Sequence, residues 1–136
     1  MGKLLKKETV QFVIINNNTA PLTYTMQNEQ SELFSAKTYN QQSIEAQGEH
    51  IFQFVPTPML GLARSHFEQT TDMDYVVNVN IQGKDASGKP VTYTCKTAWH
   101  WVGKSGGFNF NPSKSQFPKN VKAVQLRHNL VALVIS

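Results

Sequence analysis

The stretch Met73-Asp74-Tyr75-Val76-Val77-Asn78-Val79-Asn80-Ile81-Gln82 decides the fold class. Tyr75, Val77, Val79 and Ile81 fall on one face by a period of two; Asp74, Asn78 and Asn80 fall on the other, with Val76. A strand with one face in a core and one in water has this pattern, because successive side chains of a strand point to opposite sides. Residues 83–90 (GKDASGKP) follow as turn chemistry, with two glycines and a proline. Residues 91–102 (VTYTCKTAWHWV) then run back. Val91, Tyr93, Cys95, Thr97, Trp99 and Trp101 share one face; Lys96, Ala98 and His100 share the other. The pair reads as a long antiparallel hairpin.

Working outward, the same signal recurs in shorter pieces. Residues 9–16 (TVQFVIIN) read as a strand that is apolar on both faces, so both faces are expected to be covered. Residues 16–21 (NNNTAP) are a turn, and residues 22–27 (LTYTMQ) read as the hairpin partner of the first strand. Residues 28–37 fit either a polar loop or one helical turn. Short strands are expected at 43–46 and 50–55, with Pro56 and Pro58 ending the second, and another at 65–68. After the hairpin come 107–111, a polar lysine loop at 112–120, and two closing strands at 121–127 and 130–135. The last, LVALVI, is apolar on both faces and is placed centrally beside the first strand. About eight short strands at near-regular spacing, with little or no helix, predict an all-β, single-domain antiparallel β-sandwich over residues 1–136. Residues 1–8 read as a basic lead outside that fold.

The chain has 136 residues, enough for one domain with a core that needs no disulfide or metal. Cys95 is its single cysteine, which excludes an internal disulfide and suits a reducing compartment or indifference to redox state. No secretory signal is read, so synthesis in the cytoplasm is expected, with release onto target membranes as one use. The formal net charge is +4, unevenly placed. Residues 1–74 carry five Lys or Arg against eight Asp or Glu; residues 75–136 carry eight against Asp85 alone. The basic half favours anionic surroundings such as phosphate, anionic lipid or an acidic glycan, or simply keeps the protein in solution.

No catalytic constellation emerges. His50, His66, His100 and His128 lack the close spacing of zinc ligands, and no calcium loop surrounds Asp72 and Asp74. Cys95, on a face with Tyr93 and Trp99, reads as a small core hydrophobe rather than a nucleophile. The string Gly103-Lys104-Ser105 lacks the preceding glycine spacing and following helix of a phosphate loop. The expectation is a protein that is not an enzyme and has neither metal nor cofactor.

The candidate site is therefore a surface: Trp99, His100, Trp101, Lys104, Phe108 and Phe110, with Phe117, Lys96, Lys114, Lys119 and Lys122 nearby. Tryptophan settles at the depth of lipid headgroups, and each lysine near an anionic bilayer adds about 1 kcal/mol. Aromatic rings also stack on sugars, and on the bases of single-stranded nucleic acid. Trp99 and Trp101, on one strand face with Tyr93, fit core positions near the sheet end equally well.

The order of these pieces resembles a known group of proteins. A strand ends in Asn16-Asn17-Asn18-Thr19 and a polar hairpin closes by Gln27; Ile44, Gly48 and Ile51-Phe52-Gln53-Phe54 follow; His128-Asn129-Leu130 opens the last strand. The pattern resembles aegerolysins and, more distantly, actinoporin-like toxins. The resemblance implies a single β-sandwich acting on lipid bilayers, with a second pore-forming protein needed in some cases. Aegerolysins are usually acidic, whereas the isoelectric point here is about 9.3. The expected function is membrane-lipid binding of a cytolysin or toxin type, with anionic lipid favoured. The alternatives are a small lectin using the same aromatics, then a nucleic-acid-binding or self-assembling protein, with a homo-oligomer built on the apolar terminal strands.

Overall fold

The computed structural model of the chain describes residues 9–29, 37–54, 73–85, 87–102 and 107–136. These form nine strands: β1 (Val10–Asn16), β2 (Leu22–Asn28), β3 (Lys37–Ile44), β4 (Glu49–Phe54), β5 (Met73–Lys84), β6 (Pro90–Val102), β7 (Gly107–Phe110), β8 (Val121–Arg127) and β9 (Leu130–Ile135). A single 3-10 turn, η1 (Pro112–Lys114), follows β7. The strands make a four-stranded sheet in the order β4-β1-β9-β8 and a five-stranded sheet in the order β3-β2-β5-β6-β7. The protein is an all-β sandwich, as the alternation predicts. The strand expected at 65–68 and the basic lead at 1–8 lie outside the described residues.

The long hairpin forms as read, with Tyr75 opposite Trp99, Val79 opposite Cys95 and Ile81 opposite Tyr93. Tyr75, Val77, Val79 and Ile81 are fully buried, and the intervening Asn78 and Asn80 are half-buried on the outer face. Facing them from the other sheet are Val10, Phe12 and Ile14 of β1 and Val131, Leu133 and Ile135 of β9, all fully buried. Each large side chain excluded from water in this way contributes about 1.5–3 kcal/mol. Phe12 and Trp99 form a T-shaped pair across the core, with ring centroids 5.5 Å apart at 82°.

Three sequence expectations are corrected. First, β1 and β2 are not hairpin partners. β1 lies in the four-stranded sheet and β2 in the five-stranded one, so residues 17–21 cross between layers. The reason is that Val10, Phe12 and Ile14 and Leu22, Tyr24 and Met26 both need a core, and facing each other across it buries both sets. Asn16, fully buried, fixes the crossing: its Nδ2 donates to the carbonyls of Ala20 at 2.9 Å and Glu45 at 3.1 Å, and its Oδ1 accepts from the backbone N–H of Asn18 at 2.9 Å. Second, the sheets are not wholly antiparallel: β1 and β9 are central neighbours, as placed, but run parallel. Third, the outer faces of β1 and β9 are only partly covered. Val13, Ile15, Leu130 and Val134 are half-buried, and nearby Ile51 is 63% exposed.

Candidate functional site

Four of the six residues expected to form a binding surface are core. Trp99 is 0% exposed, Trp101 1%, Phe108 2% and Phe110 7%. They sit on the inner face of β6 and β7, where Trp99 opposes Phe110 and Trp101 opposes Phe108. Ring centroids are 5.3 Å apart in the first pair and 4.6 Å in the second, and Phe108 also packs on Tyr75 at 5.6 Å. The indole Nε1–H of Trp99 donates to Thr97 Oγ1 at 2.9 Å, so its polar end is satisfied inside the protein. These rings cannot insert into a bilayer or stack on a sugar without leaving the core. Lys104 lies outside the described residues. Of the five described members, His100 faces outward; its Nδ1 lies 3.4 Å from Asp74 Oδ1.

Asp74 also accepts from Lys114 Nζ at 2.8 Å, across the strand edge from η1. That bond, ahead of the one from His100, holds the Asp74 carboxyl below its ordinary range. Cys95 is fully buried, and burial pushes its thiol up to about 12, so it remains protonated and inert near neutrality. Among the described residues, the basic side chains of the C-terminal half are spread over several elements. Lys84 and Lys89 flank the β5–β6 turn, Lys96 lies midway on β6, Lys114 is on η1, and Lys122 and Arg127 are on β8 of the other sheet.

What the five-stranded sheet turns outward is a ladder of hydroxyls and amides. The register aligns Ser43, Thr23, Gln82 and Thr92 in one row. Thr25, Asn80 and Thr94 form the next, and Gln27, Asn78 and Lys96 a third. Thr92, Thr94, Gln27, Gln82 and Ser43 are exposed; the others, except exposed Lys96, are half-buried. The alternation alone places Asn78 and Asn80 on the face of their strand opposite the core. The signal lay in three alternating runs, Thr23-x-Thr25, Asn78-x-Asn80-x-Gln82 and Thr92-x-Thr94, which only the register brings side by side.

Two hollows flank Lys84, and the first row of the ladder runs into the larger. One, of about 630 Å³, is lined by Thr23, Ser43, Gln82, Lys84 and Thr92 with Ala20, Pro21, Pro90 and Val91. The other, of about 310 Å³, is lined by Asn17, Asn18, Thr19, Lys84, Asp85, Tyr93 and Asn120. Their walls are braced. Gln47 Nε2 donates to the carbonyls of Asn17 and Asn18, both at 3.0 Å. Asp85 Oδ1 accepts from Ser87 Oγ at 2.7 Å and from the N–H groups of Ser87 and Lys89, each at 2.9 Å. The Ser87 hydroxyl, then the Lys89 N–H, hold the Asp85 carboxyl below its ordinary range. Gly88 takes φ of 85° at the tip of that turn, a conformation open to glycine. Gly83 lies against the core: a Cβ there would overlap Leu22 Cδ2.

No protein-family model matches the chain, so the resemblance to aegerolysins and actinoporins has no support from one. No curated protein matches it either. Among solved structures the chain is similar to the crystal structure of Abundant Perithecial Protein from Neurospora crassa, at 12% sequence identity and a TM-score of 0.45. That likeness covers 94% of this chain and 54% of the fungal one, so the chain spans about half the length of that protein.

Proposed function

We propose that the protein is a non-enzymatic, lectin-like module that binds an uncharged carbohydrate along the outer face of β2, β5 and β6 and in the hollow where that face ends. The observation that carries this reading is the ladder of Thr, Asn, Gln and Ser, whose first two rows hold no charged side chain. A neutral sugar offers many hydroxyls, each both donor and acceptor. Amides and hydroxyls answer both roles, whereas ammonium groups only donate and carboxylates only accept. Pro21, Pro90 and Val91, beside the polar lining of the larger hollow, give the C–H face of a ring something apolar to rest on.

The membrane-lipid reading drew on Trp99, Trp101, Phe108 and Phe110, and their burial removes that basis. A nucleic-acid reading needs cations along a track, and Lys96 is the one cation in the three rows.

The test is a glycan array followed by titration calorimetry against the best neutral oligosaccharide. Thr92→Glu and Thr94→Glu serve as variants, both at exposed positions that leave the core alone. Binding of neutral glycans, weakened about tenfold or more in each variant, is expected, since each change puts an unpaired charge against the sugar. Failure to bind any neutral glycan, or binding indifferent to both variants, would overturn the proposal. Binding to oligonucleotides that falls steeply with salt would replace it with the nucleic-acid reading.

A further inference from the structure

The outer face of the four-stranded sheet carries an apolar middle row where a solvated face would be polar. The register draws three rows across it. Ile51, Val13, Ala132 and Val124 form the middle row. Glu49, Ile15, Val134 and Lys122 lie on one side of it. Gln53, Gln11, Leu130 and Arg127 lie on the other. Ile51 is 63% exposed and Val124 37%; Leu126, at the register shift in β8, is 53% exposed. Ala132, 4% exposed, lies low between these side chains, so the apolar strip is raised at the β4 and β8 edges and shallow over β9; an apolar strip across four strands marks a surface that another body covers.

We infer that this face is a homodimer interface, in which a second copy stacks its own four-stranded sheet on it about a two-fold axis parallel to the strands. The argument is the self-complementarity of the rows. Such an axis exchanges the two edges of the sheet while keeping each row level, so β4 of one copy lies over β8 of the other. Glu49 then faces Lys122 of the second copy, and the same pair repeats at the opposite edge. Ile51 faces Val124, Val13 faces Ala132, and Gln53 faces Arg127. Apolar meets apolar in the centre and opposite charges meet at the rim, with no like-charged pair in register. An anionic bilayer would set Glu49 against like charge.

Sheet geometry sets the strength. Four strands about 4.8 Å apart and three rows about 6.7 Å apart give a footprint of roughly 400 Å² per copy. That is about half the standard 800 Å² per partner, so a dimer in the micromolar range or weaker is expected.

The experiment is sedimentation equilibrium of the full chain over a concentration series, with circular dichroism confirming that each variant is folded. Wild type is expected to shift from monomer to dimer with concentration. Glu49→Lys and Lys122→Glu each place like charges opposite one another at both rims and should weaken the dimer about tenfold. The double variant Glu49→Lys/Lys122→Glu restores the pairing and should recover the wild-type curve. Ile51→Lys, which buries a charge in the apolar row, should leave monomer throughout. A monomer at every concentration overturns the inference, as does a dimer indifferent to Ile51→Lys or not restored by the double variant. So does a monomer that sediments with phosphatidylcholine or phosphatidylserine vesicles in an Ile51-dependent way. Mass is the readout, so the outcome is independent of whether any sugar binds.

Discussion

Trp99 and Thr97 are joined by a hydrogen bond inside the core: the indole Nε1–H donates to Thr97 Oγ1 at 2.9 Å, and the threonine hydroxyl donates onward to the carbonyl of Val77 at 2.8 Å. Both residues are fully buried. Thr97→Val keeps the shape but leaves the indole without an acceptor and Val77 without that donor. Destabilisation by about 1–3 kcal/mol is expected, read as a lowered urea midpoint at unchanged slope. Thr97→Ser, which keeps the hydroxyl, should recover most of the loss.

The same burial defines what tryptophan fluorescence reports. Emission of the folded protein alone should already be blue-shifted and poorly quenched by acrylamide, because both indoles are out of water before any ligand arrives. Truncating both to alanine would cost about 3–5 kcal/mol each, so that double variant would report unfolding rather than loss of a surface. Red-shifted, readily quenched emission from the native state would contradict the core placement.

The sheet content was legible because alternation is a local property: Tyr75 to Ile81 carries its own record of two faces. What was not legible was which side of a strand the second layer would take. On β6, Trp99 and Trp101 shared a face, and nothing within the strand said whether that face looked inward. The answer came from β1 and β9, distant in sequence, whose Phe12 and Leu133 need the same core. The turn at residues 16–21 announced a change of direction but not a change of sheet, since that depends on how Asn16 meets Ala20 and Glu45. The polar ladder was invisible for a related reason. Thr25, Asn80 and Thr94 are far apart in the chain, and each alone is an ordinary solvated residue.

Asn16 should prove more costly to lose than its type suggests. Asn16→Ala takes the side-chain donor from the Ala20 carbonyl and the acceptor from the Asn18 N–H, and leaves the Glu45 carbonyl with the Gly48 N–H at 2.9 Å, at an expected cost of about 1–3 kcal/mol. The loss has a local signature as well. Asn17, Asn18 and Thr19 line the smaller hollow, and this stretch is held by the Asn16 amide, by Gln47 and by the Asn17 N–H, which donates to the Ile135 carbonyl at 2.9 Å. Hydrogen exchange at residues 17–20 should quicken in Asn16→Ala under conditions where β5 and β6 stay protected. Uniform exchange across both regions would mean that Asn16 acts only on global stability.

Stability should fall on the alkaline side. Burial pushes Cys95 up to about 12 from 9.0, and Tyr24 and Tyr39 up to about 12 from 10.0. Raised values mean that the folded state favours the neutral forms. The unfolded chain releases these protons first, so the stabilisation is complete below pH 9.0 and is lost progressively as pH rises from 9.0 to about 12. Urea midpoints should hold steady up to that threshold and then decline. In Cys95→Ala the decline should start nearer 10.0, where the tyrosines begin to ionise in the unfolded chain. Thiol reagents should leave native Cys95 untouched near neutrality and label it in urea. Native labelling at the unfolded rate would show that the core around Thr97 and Trp99 opens far more readily than its packing implies.

The two proposed surfaces lie on opposite faces of one sandwich, which makes their joint behaviour distinctive. Stacking two copies through their four-stranded sheets leaves the two five-stranded faces on the outside of the dimer, pointing away from each other. A monomer with one glycan face cannot bridge two cells; such a dimer can. Wild type should therefore agglutinate glycan-coated beads at concentrations where it dimerises, and Ile51→Lys should abolish agglutination while leaving the calorimetric affinity for a single oligosaccharide unchanged. Thr94→Glu should do the reverse, keeping the dimer and losing the sugar. The bridging strength of a dimer exceeds that of one site through effective concentration, so agglutination should fall off more steeply with dilution than sugar binding does. If Ile51→Lys still agglutinates, bridging must arise from two glycan sites on one chain, and the two hollows beside Lys84 become the place to look for the second.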